Sequence, residues 1–201
     1  MAFKKREVLL VAFNLLYLLI FTIYYLTIKN YEFLVYILVV FIIAVVLALS
    51  LRKSKLDGVA LWGLSIWGLL HMLGGGLRIN GESLYSMHVI DIINKGGEFY
   101  VLKMDQVVHF YGFAVAAIVI FQLIYPRLKP NASRGLIIFL AWIGAMGLGA
   151  LNEVVEFFAS VILAKTGVGG YYNTGLDLVF NLFGALAGAF FASYYTKRTI
   201  K

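Results

Sequence analysis

Two short patterns in this chain carry residue types that bind cations or move protons. Asp105 and His109 are four residues apart, and Glu153 and Glu156 are three apart. On a helix both spacings put the side chains on one face. Asp177 and Asn181 repeat the four-residue spacing, Asn152 directly precedes Glu153, and His71 stands between Gly68 and Gly75. Carboxylate and imidazole are the ligands expected for zinc, manganese or iron. The pattern therefore predicts a divalent-metal site with His71, Asp105, His109, Glu156 and Asp177 as candidate ligands. Glu153 and Glu156 are the candidate catalytic carboxylates, either of them able to serve as general base. Asn152 and Asn181 are expected as polar support. The number of acids permits two metals, or one metal with a base to spare.

The elements that must position these residues are membrane spans. Of 201 residues, 62% are hydrophobic and 13% charged, against about 25% charged in an average soluble domain. A span needs about 20 mostly apolar residues. Six stretches qualify, near residues 8–28, 31–51, 58–77, 105–125, 135–164 and 174–195. The expected fold is all-α: a polytopic membrane protein of six transmembrane helices, read as a single transmembrane domain over 1–201. Lys4, Lys5 and Arg6 precede the first stretch, but its apolar run is too long for a signal core and no small-residue cleavage site follows, so it reads as a retained anchor.

Lys and Arg set the orientation. Clusters at Lys4, Lys5 and Arg6, at Arg52, Lys53 and Lys55, at Arg127, Lys129 and Arg134, and at Lys197, Arg198 and Lys201 fall on one side. Only Lys29, Arg78, Lys95, Lys103 and Lys165 fall on the other. Both termini are therefore expected in the cytoplasm, in a multi-pass protein of the cell (plasma) membrane. The +7 formal charge belongs to this alternation and gives no nucleic-acid footprint. The absence of cysteine excludes disulfides and zinc–thiolate sites.

With that topology the chemistry-bearing residues share one depth. His71 falls near the outer end of span three, Asp105 and His109 in the first turns of span four, Glu153 and Glu156 in the outer half of span five, and Asp177 and Asn181 in the first turns of span six. A charge at the bilayer centre costs about 2.5–3.5 kcal/mol. Interhelical hydrogen bonding returns only about 0.6 kcal/mol per contact, so four acids are hard to explain as helix-to-helix glue. Asn152, Glu153, Glu156 and Ser160 fit within about 100° of helical arc.

The outer segment 78–104 contains apolar runs around the turn signal Asn94-Lys95-Gly96-Gly97. It reads as a β-hairpin or an interfacial helix, and it is long enough to cover what lies beneath. Gly184-x-x-x-Gly188 reads as a helix-packing pair, Gly167–Gly170 as a turn, and Trp62 and Trp67 as span packing. His88 is expected to be an ordinary exposed histidine, and the Asn131-Ala132-Ser133 glycosylation pattern to be fortuitous in an inner loop. Tyr24, Tyr25, Tyr31, Tyr171 and Tyr172 suit an aromatic belt.

Two of these stretches resemble known families. Asp105-Gln106-Val107-Val108-His109-Phe110-Tyr111-Gly112 resembles the Asp-x-x-x-His-Phe motif that opens a span in the VanZ-like membrane proteins. Asp177-Leu178-Val179-Phe180-Asn181-Leu182-Phe183-Gly184 resembles their later Asp-x-x-x-Asn-x-x-Gly motif. With His71 and Asn152-Glu153-Val154-Val155-Glu156 included, the pattern over about 62–192 is more similar still to the YjdF-like inner-membrane proteins, a family of unknown function. VanZ-like proteins usually carry one Glu followed by Gln on the fifth span, where this chain has Glu156 in the second position. The resemblance implies a link to the cell envelope, since VanZ-like members are associated with glycopeptide-antibiotic tolerance. It supplies no reaction.

The residues themselves point to a membrane-embedded, metal-dependent enzyme acting at the outer leaflet on a lipid or lipid-linked envelope substrate. Two other readings stay open: an ion- or proton-coupled transporter using the same acids, and a non-catalytic envelope accessory protein.

Overall fold

In a computed structural model, which describes residues 5–96, 99–129, 131–163 and 166–199, the apolar runs become six long helices. They are α1 (Lys5–Thr27), α2 (Tyr31–Ser54), α3 (Gly58–Gly76), α4 (Met104–Ile124), α5 (Arg134–Ile162) and α6 (Tyr171–Thr199). All six are long and apolar enough to cross a membrane. Lys4, Gly97, Glu98, Ala164, Lys165 and Lys201, used in the sequence reading, lie outside the described residues. So do the side chains of Arg52, Lys197 and Arg198.

Local chemistry marks the helix starts. Asn30 accepts from the backbone N–H of Phe33, Asp57 from Ala60 and Ser133 from Leu136, each supplying one of the four acceptors that a helix N-terminus lacks. Gln122 on α4 accepts from the Asp57 backbone N–H, fastening the α2–α3 connection to α4. Arg134 donates to the hydroxyl and carbonyl oxygens of Ser193, tying the start of α5 to the last turns of α6.

α4 is the axis of the bundle, packed against α3, α5 and α6. Its closest neighbour is α6, and the cause is the glycine pair read from the sequence. A Cβ at Gly184 would strike the backbone carbonyl of Phe110, and one at Gly188 that of Ala114. Below this contact a dense core of small and aromatic residues, including Ala117, Phe121, Ala141, Ala145, Ala185 and Ala189, fills the space between α4, α5 and α6. α1 and α2 pack less deeply, and Leu9, Leu16, Leu19 and Leu38 point outward, as lipid-facing residues do.

The six helices alternate in direction, so the connections 28–30, 77–103 and 166–170 meet at one end. The longest of them is built from strands. β1 (Arg78–Ile79) pairs with β2 (Glu82–Ser83), and β3 (His88–Asn94) with β4 (Tyr100–Lys103), both antiparallel. The hairpin alternative is the one adopted. Asn80 and Gly81 turn the first pair with φ of 54° and 89°, the two positive values that a tight hairpin turn requires and that Asn-Gly supplies. In the second, Asn94 accepts from the N–H of Gly96. A 3-10 turn at Leu84–Ser86 joins the two hairpins.

Two sequence expectations change here. Tyr25 does not face outward with the other belt tyrosines: it is fully buried and donates to the carbonyl of Met72. Adjacent residues on a helix point about 100° apart, so Tyr24 reaches the edge while Tyr25 faces α3. Ser160 is exposed, its hydroxyl turned back to the carbonyl of Phe157, and it does not join the acids of α5.

Candidate functional site

The side chains that share a predicted depth do meet. His109 on α4 is the hub. Its Nδ1 donates to Oδ1 of Asn181 on α6 at 3.0 Å. A neutral imidazole has one N–H and one lone pair, so this bond turns the lone pair to Nε2. That atom lies 3.6 Å from Oδ1 of Asp105, too far for a hydrogen bond. It is close to the separation of two ligands sharing one ion through bonds of about 2.1 Å. Asp105, His109 and Asp177 each offer a ligand atom within 4.8 Å of the others.

Asn173 orients both aspartates. Its amide donates to Oδ2 of Asp177 at 2.6 Å and to Oδ2 of Asp105 at 3.4 Å. The Oδ2 atoms are thereby engaged, leaving Oδ1 of Asp105 toward His109 and Oδ1 of Asp177 buried without a partner. Orientation of this kind by a second layer of hydrogen bonds is what metal ligands usually receive.

A second group lies on the other side of the ring. His109, Glu153 and Glu156 also bring ligand atoms within 4.8 Å of one another, with Nδ1 of His109 3.8 Å from Oε1 of Glu153. Here the imidazole nitrogen is the one that already donates to Asn181, so the first group is the better cation site. Asn152 donates to Oε1 of Glu156 at 2.8 Å, leaving Glu156 positioned by α5 itself.

Among the described residues, three buried side-chain atoms have no hydrogen-bond partner: Oε1 of Glu153, Oδ1 of Asp177 and Nδ2 of Asn181. All three belong to this cluster. Asp177 and Asn181 are 0% exposed and Glu153 is 8% exposed. An unpartnered buried polar atom costs about 1–3 kcal/mol, so three converging orphans mark a place where something polar or charged belongs.

Above the cluster, a cleft of about 1230 Å³ opens at the end that carries the hairpins. Asp105, Glu156, His71 and Asn173 reach its wall. Gln106, almost fully buried, accepts from the backbone N–H of Lys103 and donates to the carbonyl of Tyr100, locking β4 to the first turn of α4 beside Asp105.

His71 is placed apart from both ligand groups. Its Nδ1 is engaged by the hydroxyl of Tyr85, from the 3-10 turn, at 2.5 Å. Burial pushes the Tyr85 phenol well above its usual range, and the Asp105 and Glu156 carboxylates add to the effect, so the hydroxyl stays a donor. His71 also stacks on Trp67. It lines the cleft without meeting the His109 cluster. His88 is exposed, as expected, but stacks on Tyr100 at 3.5 Å.

Three residues of the site went unread in the sequence. Asn173 is one and Tyr85 another. Glu32, at the start of α2, is the third: it is buried, accepts from Tyr36 and from the backbone N–H of Gly167, and lines the cleft.

Fold and site together define a multi-pass membrane protein with a buried histidine–carboxylate cluster beneath an open cleft. Over residues 9–198 the chain matches the family described as "predicted membrane protein (DUF2238)", and it belongs to that family. No curated protein and no solved structure matches it.

Proposed function

We propose that this protein is a membrane-embedded, metal-dependent enzyme that acts on a lipid or lipid-linked cell-envelope substrate at the outer leaflet of the plasma membrane. The observation that carries the reading is the convergence of three orphaned buried atoms around His109. Asp105, His109 and Asp177 are the proposed ligands of a divalent ion, zinc, manganese or iron. Asn173 and Asn181 orient them. Bound there, the ion would supply a polarised phosphoryl or acyl oxygen, or an activated water. Glu156, on the cleft wall and held by Asn152, is the proposed general base, and Glu153 is its buried neighbour. His71 and Tyr85 form a wall of the substrate cleft.

The outward orientation rests on the Lys and Arg asymmetry between alternate connections. The envelope assignment rests on the VanZ-like and YjdF-like resemblance of the Asp105–Gly112 and Asp177–Gly184 stretches. An enzyme is favoured over an ion-coupled carrier because the cluster sits off-centre, above the dense core around Phe121, Ala145 and Ala189. Carriers usually hold their site near the midplane between two repeats.

The test is turnover. Purified protein in mild detergent is incubated with lipid phosphates and glycerophospholipids, with and without a chelator. Chelator-sensitive product release that Glu156→Gln abolishes supports the reading. Uptake of a labelled ion or solute into proteoliposomes, with no turnover of any lipid, would replace it with the carrier.

A further inference from the structure

A second void lies one helical turn deeper, between α1, α2 and α3. It measures about 160 Å³. Leu10, Leu18, Val40, Ala44, Leu64 and Trp67 contribute to its wall. Its polar neighbours are already satisfied: Asn14 donates to the carbonyl of Leu10 and the hydroxyl of Ser65, Tyr17 donates to Asn14, and Ser65 donates to the carbonyl of Leu61. Such a wall offers water little, and apolar cavities of about 150 Å³ stay dry and accept hydrocarbon guests.

The floor of the void is buried at Leu10, Tyr17, Leu18 and Val40, while Leu15, Phe41 and Val45 at its rim are exposed. These rim residues belong to stretches apolar enough to span a membrane, so the void opens sideways into bilayer hydrocarbon. On α2 its lining runs from Val40 to Leu51, about 16 Å at 1.5 Å per residue. It is a slot, long and narrow.

The slot and the cleft share helices on successive turns. Tyr36 lines the cleft and Val40, one turn on, lines the slot. His71 lines the cleft and Trp67, one turn below, lines the slot, with their rings stacked at 5.9 Å. The near end of the slot therefore lies about one helical turn from the Tyr36–His71 wall of the cleft, with Tyr17, Tyr36 and Val40 packed between them.

We propose that the slot between α1, α2 and α3 binds the hydrocarbon chain of a single membrane lipid whose polar head occupies the cleft beside Asp105 and Glu156. The identity of that lipid as a substrate rests on the enzyme reading above; the chain site does not. A volume near 160 Å³ admits a stretch of one chain and excludes a pair.

The probe is dodecyl phosphate carrying a diazirine near the chain end, added to the full-length protein in phosphatidylethanolamine–phosphatidylglycerol vesicles. After photolysis, labelled positions are mapped by mass spectrometry. The expected labels fall on residues at the far end of the slot, such as Leu10, Ala48 and Leu61. Excess unlabelled dodecyl phosphate should reduce them at least tenfold, and butyl phosphate should not. Ala44→Trp should remove them with metal content unchanged. Labels spread evenly over outward residues such as Leu19 and Leu38, and insensitive to competitor, would overturn the proposal without the need of any variant. Metal content measured on the same samples separates the two ideas. Slot labelling without metal binding refutes the metal site alone, and metal binding with diffuse labelling refutes the slot alone.

Discussion

Nδ1 of His109 lies 3.0 Å from Oδ1 of Asn181, and this one bond decides which face of the imidazole can hold an ion. With the proton at Nδ1, the lone pair at Nε2 faces Asp105, in the group that also holds Asp177. In the proposed metal site Asn181 is therefore a positioning residue, and so is Asn173, which donates to Oδ2 of both aspartates. Asn181→Ala and Asn173→Ala should each weaken divalent-metal affinity about 10- to 100-fold, the usual effect of losing such support. Titration calorimetry on protein that remains folded in detergent measures this. Unchanged affinity in both variants would separate the asparagines from the ion.

The approach of α6 to α4 depends on two missing side chains. Gly188→Ala forces a methyl into the carbonyl of Ala114, and backbone cannot step aside as a side-chain tip can. Overpacking of this kind costs about 1–3 kcal/mol, and a lower unfolding temperature in detergent is expected. Gly147→Ala on α5 is the control. Nothing lies within 4 Å of that position, and in a helix interior alanine is favoured over glycine by about 1 kcal/mol, so stability should hold or rise.

The six spans were legible because a hydrophobic run of bilayer length has few other uses. The meeting of Asp105, His109, Glu153, Glu156, Asp177 and Asn181 was legible because acids in such runs must face one another. What was missed lay at helix edges. Helix α6 begins at Tyr171, three residues before the expected start, so Asn173 fell just outside the span that was read. Glu32 follows the cap Asn30 closely, where an acid ordinarily faces water and the helix dipole; only the fold brings Gly167 to it. Asn80-Gly81 is a hairpin signal in plain view, but the two-residue strands beside it have no apolar alternation to accompany it. His71 shares the depth of the cluster but lies outside both ligand groups, and the partner it meets, Tyr85, comes from a connection whose path no periodicity reveals.

Glu32 should behave as a clasp between α2 and the 166–170 connection. Its Oε2 accepts from the Gly167 backbone at 2.7 Å. A hydrogen bond to a charged group contributes about 1.5–3 kcal/mol, so Glu32→Ala should speed amide exchange at Gly167 roughly tenfold or more. Exchange followed by mass spectrometry reads this directly. Protection unchanged at 166–170 would show that the contact does not hold that connection closed.

His71 and Tyr85 should be dispensable for the ion. Tyr85→Phe breaks the bond to Nδ1 of His71 without touching Asp105, His109 or Asp177. Metal content is expected to remain at the wild-type value, while turnover falls because the cleft wall loosens. A loss of metal in His71→Ala protein that is otherwise folded would return His71 to the ligand set.

The most direct test of the account is metal content. The purified protein, equilibrated with zinc, manganese or iron(II) and dialysed, is compared by elemental analysis with His109→Ala and Asp177→Asn. The account predicts about one tightly held ion per chain, lost in both variants while helical content is kept. Folded wild-type protein that retains none of the three metals, or variants that bind as much as it does, would contradict it.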